Sequence, residues 1–202
     1  MRTRKWHRRL GLVMLAPFIG WAITGLIFSL KPGYGGAYET LQPRLYPLES
    51  GVAVKADPRW LEFRCIKTIL GVHLLVRTAE GWSQLDSSSL LPRNPPEENE
   101  IRLLVEDAIS SNAARYGQVN RVDGNQVVTD TGVRVTVDWD RLSFQQRGPD
   151  TDRIDNLYRI HYLQWTGVSA IDKVLGLFGI MLVLALSALG ARLLFGTKRT
   201  AA

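Results

Sequence analysis

Two stretches without a single charged residue, Leu10–Leu30 and Val174–Ala191, constrain this chain more than any other feature. Roughly 20 apolar residues cross about 30 Å of hydrocarbon, so each run is long enough to be a membrane span, and an ordinary soluble protein is excluded. The charges are sorted around them. Arg2, Arg4, Lys5, Arg8 and Arg9 precede the first run, and Arg192, Lys198 and Arg199 end or follow the second. All 19 acidic residues and the other 17 basic ones lie from Lys31 to Lys173, so the ends carry +8 and the middle −2 of the net +6. A sequence pI near 9.7 would ordinarily invite nucleic acid as a partner. Here the excess flanks the spans, and the partner it indicates is the lipid bilayer. The positive-inside rule then places both termini in the cytoplasm and the middle outside, which in a bacterium is the periplasm, with the inner membrane between. The single cysteine, Cys65, excludes an intrachain disulfide, a zinc ribbon and a CxxC redox motif.

The first run exceeds the h-region of a signal peptide and no A-x-A site follows it, so it reads as an anchor. Pro17 frees one carbonyl within that span. Thr24-Gly25 offers a small surface for close helix contact, as do Gly176, Gly179 and Gly190 in the second span. Trp21 stands too deep for an interfacial belt and is expected to face lipid or another helix.

The periodicity divides the rest. Residues 1–9 form a cytoplasmic N-terminus, 10–30 the first span and 31–58 a Gly-, Pro- and Tyr-rich linker through which no long helix continues. In the periplasmic domain, 59–148, β-branched runs predict strands at Cys65–Leu70 and Val72–Val76, then at Trp82–Asp86 after the Glu80-Gly81 turn. After the break at Pro92–Pro96, Ile101, Leu104, Val105, Ala108 and Ile109 fall at helical spacing and predict an amphipathic helix over about Glu97–Tyr116, with acidic residues at its positive end. Strands are expected at Gln118–Val122, Gln126–Thr129 and Val133–Asp138, with an edge strand at Arg141–Gln146. The class is α+β: small antiparallel sheets with a packed helix, bracketed by two transmembrane helices. Residues 149–170 predict an interfacial amphipathic helix, capped by Asp150 or Thr151, with Ile154, Leu157, Tyr158, His161 and Trp165 on one face. That face should bury His161 along the outer membrane surface or under the sheet. The second span takes 171–195 and a cytoplasmic tail 196–202.

Trp6-His7-Arg8-Arg9-Leu10-Gly11, leading into a span ending Thr24-Gly25, resembles the first helix of PepSY-associated transmembrane proteins. Leu157-Tyr158-Arg159-Ile160-His161-Tyr162 before a Gly-rich span resembles their closing Leu-x-x-x-His segment, and Val76–Gly81 leading to Asp86 resembles the hairpin and tail of a PepSY repeat. The helix at Glu97–Tyr116 with its following strands resembles a second repeat. Larger members have four or more spans where this chain has two, and Ser187-Ala188-Leu189-Gly190 replaces their usual late Thr-Gly.

Chemistry has few footholds. The only histidines are His7, His73 and His161, and no H-E-x-x-H, P-loop or G-x-G-x-x-G occurs. His73 lies in an apolar strand and reads as structural or surface. The Glu97-Glu98-Asn99-Glu100 cluster reads as a solvated helix start, and nothing makes a positive case for an enzyme. Some multi-span relatives bind haem b, so the resemblance implies His7 and His161 as axial ligands. They fall at opposite membrane levels, so a shared haem would need a homodimer or a partner subunit. Three functions follow as expectations: a non-catalytic protein binding or regulating an envelope or membrane partner, a haem-b electron-transfer or ferric-reductase subunit, and a regulator of a periplasmic peptidase.

Overall fold

The computed structural model describes residues 2–49 and 54–196; residues 50–53 of the linker and 197–202 of the tail lie outside the described residues. The chain forms two compact units, one from its two ends (through Tyr34 and from Asp152), the other from Gly35–Thr151.

The first unit is helical. Helix α1 (Arg2–Leu30) runs unbroken through Pro17, and a single turn, α2 (Tyr34–Ala37), follows it in the chain. The two end helices are long and apolar enough to cross a membrane, and only 11% and 6% of their most apolar windows are buried. The core helix of a soluble protein would be mostly covered.

In the second unit every strand pairs with its sequence neighbour. Strands β1 (Glu62–Thr68), β2 (Gly71–Thr78) and β3 (Gly81–Leu85) form one antiparallel sheet in that order. Helix α3 (Glu98–Ile109) starts where the Glu97 amide donates to the Glu100 carboxylate at 2.9 Å. The helix expected to reach Tyr116 is interrupted by a 3₁₀ turn at Ser110–Asn112 before α4 (Ala113–Tyr116). Ser110 and Ser111 hydroxyls turn back to the Asp107 and Ala108 carbonyls, and Asn112 accepts from the Arg115 amide; such side chains compete with the helical ladder. Strands β4 (Val119–Asp123), β5 (Gln126–Thr129), β6 (Arg134–Asp138) and β7 (Ser143–Arg147) form the second antiparallel sheet. Alternation along β6 sends Val135 and Val137 inward. They meet Leu104, Val105 and Ala108 of α3, with Leu75 of β2, in one core. Leu41 belongs to that core as well, so part of the expected linker is packed.

The chain leaves the domain through α5 (Pro149–His161), with Pro149 at its first position, and enters α6 (Ser169–Gly196). The expectation of one helix through 170 is corrected here: α5 stops at His161, and Trp165 lies in the connecting segment, exposed.

Candidate functional site at the end of α5

Helix α5 ends in a Schellman closure. The Gln164 amide donates to the Arg159 carbonyl at 2.8 Å and the Leu163 amide to the Ile160 carbonyl at 3.2 Å. Leu163, with φ +56°, occupies the left-handed position that glycine usually fills. The strain of about 1–2 kcal/mol is offset by packing: Leu163 is buried, and a Cβ at Gly179 would meet its Cδ1 at 2.7 Å. A glycine here would ease the turn and lose the side chain that fills that gap.

The remaining carbonyls of α5 would be orphans in an apolar setting. Trp21 answers one, its indole N–H donating to the His161 carbonyl at 2.6 Å. Trp21 thus closes a helix end. The His161 side chain is fixed too. Its Nδ1 lies 2.8 Å from Thr24 Oγ1, and the Thr24 hydroxyl donates to the Gly20 carbonyl at 2.7 Å. With that proton committed, Thr24 accepts from His161 Nδ1–H. Phe28 meets the imidazole edge-on at 5.2 Å and stacks on Tyr158 at 4.5 Å. These contacts put His161 against α1.

His7 stands elsewhere. A Cβ at Gly190 would meet His7 Nε2 at 3.5 Å, and one at Gly11 would meet Leu186 Cδ1 at 4.0 Å, so α1 and α6 run antiparallel. Along α1, positions 7 and 24 are about 25 Å apart. The two histidines do not meet within one chain, and they do not compose a bis-histidine haem site there. Among the described residues no group of three or more His, Cys, Asp or Glu could hold a metal ion.

The domain holds two further polar clusters. His73 is fully buried. The Thr68 hydroxyl meets its Nε2 at 2.7 Å, Nδ1 meets Gln84 Oε1 at 2.9 Å, and the Gln84 amide donates to the Trp139 carbonyl. This chain of bonds ties the first sheet to the turn between β6 and β7. Burial, reinforced by Arg93 and only partly opposed by Gln84, holds the His73 pKa below its ordinary 6.5, so the ring is neutral.

The second cluster centres on Arg115, whose guanidinium pairs with Asp150, donates to Gln146 Oε1 at 2.6 Å and lies over the Tyr116 ring. Burial pushes the Asp150 carboxyl up, but Arg115 and the Thr151 amide outweigh it and hold it below the usual carboxylate range. The Gln146 amide donates to the Glu39 carbonyl at 3.0 Å and the Ala37 carbonyl at 3.2 Å. Gly36 permits this approach, since a Cβ there would meet Arg115 Nη1 at 2.8 Å.

Sequence reasoning singled out His161 and missed what holds it. Thr24 and Trp21 are 137 and 140 residues away, beyond any local spacing. The Arg115 cluster carried no linear signal either. No protein-family model, curated protein or solved structure matches the chain.

Proposed function

We propose that this chain is a two-span bacterial inner-membrane protein of PepSY type. Both ends face the cytoplasm, and a periplasmic α+β domain binds or regulates an envelope or membrane partner without catalysis. The observation that carries the reading is the pair of apolar end helices whose side chains face outward, combined with basic residues at both chain ends. The PepSY part rests on the motifs around His7, His161 and Val76–Gly81. Fusions of alkaline phosphatase, which is active only outside the cytoplasm, test the topology. A fusion after Thr151 should be active and one after Ala202 inactive; the reverse pattern overturns the orientation. Crosslinking from the domain surface in intact cells should then recover a partner.

One observation favours a second reading, the haem-b subunit. Thr24 holds His161 by Nδ1 and leaves Nε2 available, the arrangement by which a second group orients a ligating imidazole. The second axial ligand would come from a partner or a second copy. A Soret band in the purified protein, lost in His161→Leu while the domain stays folded, would favour this reading over the first.

A further inference from the structure

Helices α1 and α6 make unequal demands on the same layer of membrane. The charge-free run of α6 opens only at Val174, whereas that of α1 continues to Leu30. Gly179 lies beside Trp21, Leu186 beside Gly11 and Gly190 beside His7. Continuing that register sets Lys173 level with the last turns of α1, where Leu26 and Leu30 are exposed and apolar. One helix therefore asks for lipid at the level where the other presents charge.

At this level lies a recess of about 470 Å³, lined by Arg159, Tyr162, Gln164, Asp172, Lys173 and Gly176 among others. The Asp172 carboxylate is already engaged, with Oδ1 accepting from the Thr166 amide at 3.0 Å and its hydroxyl at 2.7 Å. Arg159 and Lys173 are exposed. Below Lys173 on the same face of α6, at i+4 and i+7, stand the exposed Leu177 and Ile180. Cations above an apolar stripe match a group that is anionic at one end and apolar at the other. Tyr162, which lines it, is exposed, as aromatic side chains are at headgroup level.

Resting on the membrane reading above, we infer that this recess binds the phosphate of a membrane glycerophospholipid between Arg159 and Lys173, its acyl chain lying along Leu177 and Ile180. Arginine and lysine near the ends of membrane helices direct their charge to the headgroup layer, where a lipid phosphate meets them while its acyl chain covers the apolar surface below.

The test is native mass spectrometry of the full chain in detergent with phosphatidylglycerol, phosphatidylethanolamine or diacylglycerol of matched acyl chains. Both phospholipids should be retained at least tenfold more than diacylglycerol. Arg159→Gln with Lys173→Gln should reduce retention to the diacylglycerol level, while Arg153→Gln, an exposed arginine earlier on α5, should not. Equal retention of diacylglycerol, or unchanged retention by the double variant, overturns the inference. So does inorganic phosphate alone binding as tightly as the lipid, which would make free phosphate the ligand. Alkaline extraction of membranes separates the two readings. A wild-type chain released by alkali sinks the membrane reading itself; a chain that stays but shows no phosphate preference sinks only the lipid site.

Discussion

The helical unit and the domain use the same kinds of side chain in opposite ways. In the domain, Leu104, Val105, Val127 and Val135 are fully covered. In the helices, Leu177, Ile180 and Leu184 are more than half exposed. Among the described residues of α1 and α6, those buried are Met14, Thr24, Asp172 and Gly179, three of them small or polar. On the membrane reading proposed above, the difference follows from the solvent each region is built for. Where water is outside, removing apolar area from it drives packing. Where lipid is outside, that drive is absent, and helices associate through close contact and internal hydrogen bonds.

The sharpest way to break this comparison is to charge equally exposed positions in each region. Ile180→Arg with Leu184→Arg should cost about 2.5–3.5 kcal/mol per residue on membrane insertion, and an alkaline phosphatase fusion after Ala202 should become active, because α1 still anchors the chain while its other end stays outside. Leu61→Arg, at a domain position that is 64% exposed against 56% for Ile180, should change domain stability by no more than about 0.5 kcal/mol. Equal tolerance at both sites would mean that the helices do not sit in lipid.

Next in size is the domain core. Leu104→Ala should lower domain stability by about 2–5 kcal/mol, read by urea unfolding of the full chain followed through tryptophan emission. Leu184→Ala should leave the same transition in place.

The third effect is pH-dependent. The unfolded His73 imidazole titrates near 6.5 and the folded one lower, so the unfolded chain takes up the proton first. The stability that His73 contributes is complete above pH 6.5 and declines as pH falls from 6.5 toward the folded value. His73→Leu should abolish that decline and cost about 1–3 kcal/mol at neutral pH by stranding Thr68 and Gln84. A wild-type domain whose stability is flat from pH 7.5 to 5.5 would contradict the assignment. The smallest effect belongs to the junction. Thr24→Val should cost about 1 kcal/mol and change the His161 ring nitrogen shifts in NMR, with the domain transition unmoved.

Periodicity made the strands legible because each is local: Gln126–Thr129 is found where alternation and turns place it, and the ends of β2 and β6 move by a residue or two. The errors share a physical origin in tertiary compensation. Nothing in the local sequence announces that Leu163 will adopt a left-handed backbone, because Gly179, far along the chain, makes room for it. So the spacing predicts a helix over 149–170 where α5 stops at His161. In the same way Arg115, Gln146 and Asp150 look like three unrelated surface residues until the segment 36–39 folds among them.

The nearest-neighbour pairing of both sheets has a consequence in time. Within each sheet, every strand after the first can join its predecessor as soon as it has been made, and such local order favours fast folding. The segment at 36–39 departs furthest from this order, since the Gln146 amide that grips the Gly36 carbonyl lies 110 residues later. That grip should close after the sheets have paired. Gln146→Ala should therefore leave the refolding rate nearly unchanged and speed unfolding, making this clasp a determinant of how long the domain stays closed.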